Sequence, residues 1–312
     1  MSHYRVCFFG VKETTRLIVE YLHAHKVHID LIISIDESVL LKNHVADYCS
    51  LAETAKRIGA DFYCVKDYSL KRLNDEFFAK HTFGVGIVYG WQRLIPSSII
   101  SKFQYGIFGF HASPEALPGG RGRSPLNWGI ILGKKKLYNH CFKYVTEADA
   151  GEIYSVKVFS ITSHDTIMTV LYKSLLTARE EIIKLLQDIK LGPLKLQPQN
   201  GKPWFFPKRT PEDGLIDFTK DKTNTIINLV RGVSRPFPGA FCYTYDGKLI
   251  IWEAWEFDRL IDFSAWQPGQ VVDVLYEMPV VRTIDGSIVI RESEGPILKS
   301  RDLLLAKQPP LP

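Results

Sequence analysis

The chain has 312 residues, 46% of them hydrophobic, enough to bury a large core and to divide into two domains. A net charge of +5 permits an anionic small substrate or RNA but lacks the basic stripe of a committed nucleic-acid binder, so DNA is not expected as a partner. No apolar run reaches membrane length and Met1-Ser2-His3 leads straight into a strand-like segment, which predicts a cytoplasmic chain with no membrane partner.

In chain order, Tyr4 to Gly10 (YRVCFFG) predicts a buried strand and Glu13 to Ala24 an amphipathic helix. Ile29 to Ser34 predicts a second strand, and a less regular stretch runs from Ile35 to Tyr48. Leu51 to Ile58 reads as helix, Asp61 to Val65 as strand, Leu70 to Lys80 as helix, Phe83 to Tyr89 as strand, and Ile107 to Phe110 as a fifth strand. Alternation at this spacing predicts an α/β, doubly wound, mostly parallel Rossmann-like sheet, with ligands outside the strands' carboxyl ends. The first strand runs into Gly10-Val11-Lys12-Glu13, one glycine where a dinucleotide fold shows three, which argues against a nicotinamide or ATP site. The five cysteines show no CxxC or zinc spacing, and Cys7 and Cys64, inside strand-like apolar runs, read as small buried thiols. His23, His25 and His28 straddle a helix end with no ligand set around them, so no metal is expected.

The chemistry concentrates between Gly106 and Ile153. The strand Ile107 to Phe110 delivers His111 at its carboxyl end, and a loop rich in Gly and Pro follows. Ser124-Pro125 then reads as a helix N-cap with proline at the first helical position, ahead of Leu126 to Leu132. Asp149-Ala150-Gly151 closes the stretch with a carboxylate. An imidazole and a later carboxylate in this setting suit proton transfer.

Tyr154 to Phe159 is strand-like, and Asp165 to Ile189 predicts a long helix capped by Ser163 or Asp165, with Ile167, Val170, Leu171, Leu175 and Ala178 on one face. Residues 1–195 thus form the expected catalytic domain, 196–203 a Pro/Gln/Asn/Gly-rich linker, and 204–312 a β-rich domain. In the last, a short helix (Asn224 to Val233) precedes alternating runs with Asp246-Gly247 as a hairpin turn, predicting a small antiparallel, OB-like barrel.

These residues carry a resemblance. The order strand–His111–SPEALPGGRGRSPLNW–DAGEI, with GWQRLIP (Gly90 to Pro96), RTPEDGLIDF (Arg209 to Phe218) and NLVRGVSRPFPGAFCY (Asn228 to Tyr243), resembles the 10-formyltetrahydrofolate-dependent formyltransferases over nearly the whole chain. That family holds methionyl-tRNA formyltransferase and the nucleotide-sugar N-formyltransferases, and GRGRSPLNW looks closer to the sugar-type members. The resemblance implies formyl transfer to an amine, without a metal, from 10-formyltetrahydrofolate as co-substrate. It also implies a catalytic Asn, His and Asp, of which His111 and Asp149 match the last two.

The family's Asn falls on Gly109, so the donor for the developing oxyanion must come from elsewhere. Asn127 is the first candidate, with Asn139 and the backbone at the helix start as others. Tyr89, Gly90, Leu94 and Ile95 match the wall that receives the folate, with Leu94 and Ile95 equally readable as core. Arg121 and Arg123 are candidates for a substrate diphosphate, or for pinning the loop. The acceptor expected is a nucleotide-linked amino sugar, because Ile35 to Tyr48 has one lysine against three acids where an RNA clamp would be basic. Methionyl-tRNA formylation and a catalytically weakened folate-binding paralogue stay open as alternatives, and a homodimer is compatible with the barrel domain.

Overall fold

The computed structural model describes residues 5–43, 45, 47–71, 77, 78 and 81–309. The chain divides into two compact units: residues 1–122, 137–159 and 172–205 in the first, and 123–136, 160–171 and 206–312 in the second. The division is therefore not a single cut in the chain near residue 200.

The sheet strands of the first unit are β1 (Val6–Phe9), β2 (Leu31–Ile35), β3 (Asp61–Val65), β4 (Phe83–Val88), β5 (Phe103–Ser113), β7 (Lys136–Lys143) and β8 (Ile153–Ser160). Two-residue strands β6 (Arg121–Gly122) and β9 (Phe205–Phe206) lie outside this sheet. Its order is β3-β2-β1-β4-β5-β7-β8. β1 to β5 pair in parallel, and β5 and β7 run antiparallel.

The early strands read as unbroken apolar runs because both their faces are covered. Val6 and Phe8 of β1, Ile32 of β2 and Val85 and Ile87 of β4 pack with α1 (Glu13–Ala24) and α3 (Ala52–Ile58). Cys7 and Phe9, Leu31 and Ile33, and Phe83 and Val88 take the other face, with Val39 of α2 (Glu37–Asn43) and Ile99 of α4 (Ser97–Ile100). The chain winds outward from β1 to β3, then returns through β4 beside β1. The carboxyl edge of β1, β4 and β5 is thus the switch point where such sheets place ligands.

The expected α1 and β3 appear with the bounds read from sequence. Within the stretch expected to be irregular, Glu37–Asn43 is helical. Most of the helix expected from Leu70 to Lys80 lies outside the described residues. β5 is longer than expected: Phe103 opens it and His111 to Ser113 remain in it, because β7 supplies hydrogen-bond partners as far as Ser113. The stretch expected to be a linker is not free chain. Gln197 and Ile153 exchange two backbone hydrogen bonds of 2.8 Å, so Pro- and Gln-rich composition here marks an extended, paired segment.

The second unit holds α5 (Pro125–Ile131), the start of α6 (Ile167–Leu191), α7 (Thr223–Val233) and an antiparallel sheet. The strands β10 (Ala240–Thr244), β11 (Gly247–Asp258), β12 (Val271–Leu275), β13 (Met278–Thr283) and β14 (Gly286–Glu294) lie in the order β10-β11-β14-β13-β12. Leu305 bridges Tyr243 beside β10 and Leu303 bridges Gln270 next to β12, so the last segment links the two edges towards a barrel. This is the β-rich domain expected. Thr244 pairs with Gly247, which makes Tyr245-Asp246 the hairpin loop rather than Asp246-Gly247.

Candidate active site

His111 stands in β5 opposite His140 of β7 and is 6% exposed. Its Nε2 lies 2.8 Å from the carbonyl oxygen of Gly120, which also accepts from Ser113 Oγ at 3.1 Å. A carbonyl cannot donate, so Nε2 carries the ring hydrogen, and the neutral imidazole presents Nδ1 as its basic nitrogen. Nδ1 lies 3.6 Å from Oδ2 of Asp149. A proton taken at Nδ1 therefore creates an imidazolium beside a carboxylate, in surroundings where that attraction exceeds its value in water.

The carboxylate is held from several sides. Asp149 adopts φ 52°, and its Oδ2 also accepts from the Gly122 N–H at 3.0 Å. Gln199 Nε2 donates to the carbonyls of Asp149 and Gly151, each at 2.8 Å. Gln199 Oε1 in turn accepts from Arg121 Nη2 at 2.8 Å, and Arg121 Nη1 pairs with Glu147 at 2.9 Å. Gly151 has no room for a side chain, since a Cβ there would overlap the Lys143 carbonyl. The loop carrying Asp149 is thereby pressed onto the end of β7.

His140 is wired differently. Its Nδ1 lies 3.2 Å from the His111 carbonyl and its Nε2 accepts from the Leu117 N–H at 3.2 Å, so both nitrogens serve the backbone. Burial pushes its pKa down to about 4. It is a neutral strut between the His111 backbone and the loop that follows β5. Beside it, the Tyr144 ring lies over Gly109 in β5, where a Cβ would come within 2.9 Å of Cζ and 3.0 Å of the hydroxyl.

Residues 208–305 match the family described as formyl transferase, C-terminal domain. This C-terminal third of the chain is thus similar to the C-terminal domain of formyl transferases. Its fold is similar to that of a HypX variant from Aquifex aeolicus, at 19% identity and TM-score 0.67, covering 94% of this chain and 44% of that one. It is also similar to an N-formyltransferase from Helicobacter canadensis in complex with folinic acid and dTDP-3-aminofucose (15% identity, TM-score 0.64, 93% of this chain and 99% of that one). A third likeness is methionyl-tRNA formyltransferase from Clostridium thermocellum (17%, TM-score 0.58, 82% and 94%). At these identities the likeness is one of fold, and the chain spans less than half the length of the HypX chains it matches.

Within this fold, the expected residues fall in distinct settings. His111 and Asp149 come together as described. Asn127 does not offer a free amide: it is buried in the second unit, and its Nδ2 donates to the Gly232 carbonyl at 2.8 Å, tying α5 to α7. Asn139 spends its Nδ2 on Ser174 O and Thr177 Oγ1 of α6, at 3.1 and 2.8 Å. Ser124, expected as a capping side chain, has φ 58° and makes no cap hydrogen bond, so the helix start is set by Pro125 alone.

Arg121 is engaged with Glu147 and Gln199, whereas Arg123, in the second unit, is exposed. Tyr89 lies directly after β4 with its carbonyl accepting from Thr15 Oγ1 at 2.6 Å, and burial pushes its phenol up to about 12. Gly90 follows with φ 81°; Leu94 is 48% exposed, and Ile95 is core. Sequence reading missed His140, Tyr144 and Gln199. The first two could have been found only through the β5–β7 register, and Gln199 was hidden in a stretch read as linker.

Proposed function

We propose that the protein transfers a formyl group from 10-formyltetrahydrofolate to the amine of a nucleotide-linked amino sugar. The observation that carries this is the His111–Asp149 pair, with Nδ1 as the basic nitrogen, on the edge of a fold shared with formyltransferases. An attacking amine must lose a proton as its nitrogen bonds to the formyl carbon, and Nδ1 of His111 takes it. Asp149 stabilises the imidazolium that results, while Gly120 keeps the ring in the tautomer that leaves Nδ1 open. When the C–N bond to the folate breaks, the same imidazolium returns the proton to the departing nitrogen, so the products are a formamide and tetrahydrofolate.

The residues present fit the folate. Leu94 leaves an apolar side chain exposed beside the backbone following β4, at the sheet edge where topology places ligands. Tyr89 and Gly90 would line the same wall. The acceptor reading rests on the stretch 35–48, where Lys42 stands against Asp36, Glu37 and Asp47, a poor surface for phosphates of RNA.

The test is tetrahydrofolate release from 10-formyltetrahydrofolate with a panel of nucleotide amino sugars beside methionyl-tRNA. Turnover with a sugar is expected. Turnover with the tRNA alone would replace the acceptor, and absence of release with any amine would remove the reading.

A further inference from the structure

The side-chain space over Gly109 is not empty. β5 alternates its side chains, so residues 109 and 111 share one face, about 7 Å apart along the strand. On that face the first position after His111's own is filled by Tyr144, whose hydroxyl lies 3.0 Å from where the Cβ of residue 109 would be. An amide on a side chain at 109 would reach a similar point.

The ring arrives there because Tyr144 follows β7 directly. Its N–H donates to the Ile107 carbonyl at 2.7 Å, which sets its backbone against β5, and its ring stacks on Phe142 at 5.3 Å between centroids. Phe142 is the register partner of Gly109. A glycine at 109 is what lets the ring lie across the strand. Among the described residues the phenol makes no hydrogen bond, although its ring is packed against the core. Burial, with a smaller contribution from the Asp149 charge, pushes the phenol up, so the group keeps its proton and remains a donor.

We propose that Tyr144 is a catalytic residue whose hydroxyl donates to the oxygen that becomes negative as the formyl carbon is attacked, in the place a side-chain amide at residue 109 would take. The proposal rests on the formyl-transfer reading. A preorganised donor of this kind acts on the transition state, so its loss lowers kcat while leaving ground-state binding almost unchanged. Gly109 and Tyr144 are then one device: a smaller residue on β5 and a phenol from the end of β7.

The experiment uses hydroxylamine as a small amine that needs no acceptor pocket, and measures tetrahydrofolate release from 10-formyltetrahydrofolate by the full chain. Tyr144→Phe keeps the ring and removes only the hydroxyl. It is expected to lower kcat about 100- to 1000-fold, with KM and folinic acid affinity within about threefold of the native protein. The double variant Gly109→Asn/Tyr144→Ala puts an amide where the ring stood and is expected to recover about tenfold over Tyr144→Ala. Native kcat in Tyr144→Phe overturns the inference while formyl transfer stands. Failure of the native protein to accelerate release above the solution rate overturns the formyl-transfer reading and this inference together.

Discussion

His111 and His140 face each other across one strand pair, yet the structure uses them in opposite ways. His111 gives one nitrogen to a carbonyl and leaves the other beside Asp149. His140 gives both nitrogens to backbone groups and is held neutral by burial. Burial alone does not separate them, since both are buried. What separates them is which nitrogen has an acceptor and whether a carboxylate stands near the other. An imidazole is placed to act as a base where one ring nitrogen is fixed and the other is left open.

The sharpest way to break this comparison is His111→Ala. Loss of a general base is expected to lower kcat by about 100- to 10,000-fold in the tetrahydrofolate-release assay, with folinic acid affinity nearly kept. A loss of less than about tenfold would return His111 to the status of its neighbour, a structural residue.

His140 has its largest expected effect on stability. Its pKa is pushed from 6.5 to about 4 in the fold, so the unfolded chain binds a proton that the folded chain refuses. The stability it contributes is complete above about pH 6.5, falls as pH drops towards about 4, and is then constant. The span is worth roughly 3 kcal/mol. Asparagine could donate to the His111 carbonyl and accept from Leu117 without titrating. Urea midpoints for His140→Asn between about pH 7 and pH 4 should therefore fall less steeply than for the native protein. Parallel slopes would show that the proton is taken elsewhere.

The same strand pair marks how far the sequence could be read. The apolar runs of β1, β2 and β4 were legible because a strand covered on both faces must be apolar throughout. His111 and Asp149 were legible through their order in the chain and the resemblance that order carries. The partners of β5 were not, because antiparallel register decides that Phe142 meets Gly109 and His140 meets His111. Gly109 looked like a missing amide when read along the chain; in the structure its space holds a tyrosine from 35 residues later. Asn127 failed as a substitute for a related reason. A first-turn asparagine looks available until the helix packed on it supplies the Gly232 carbonyl. The Gln199 contacts were hidden by composition, since Pro- and Gln-rich chain is read as linker unless its pairing with Ile153 is known.

The smallest expected effect separates the two roles open to Arg121. Its guanidinium is 6% exposed and shared between Glu147 and Gln199, and Gln199 holds the carbonyls on either side of the Asp149 turn. An arginine so engaged positions the carboxylate and has little left to give a diphosphate. Arg121→Ala should then lower kcat about tenfold, because a loosened carboxylate stabilises the imidazolium less well. The loss should be the same with hydroxylamine as with a nucleotide-linked amine, since neither depends on a phosphate contact there. A KM that rises for the nucleotide-linked amine alone, at unchanged kcat, would show the reverse. Arg121 would then leave Glu147 and Gln199 to grip the substrate, and the Asp149 loop would be held by Gln199 and the Lys143–Glu152 backbone hydrogen bond without it.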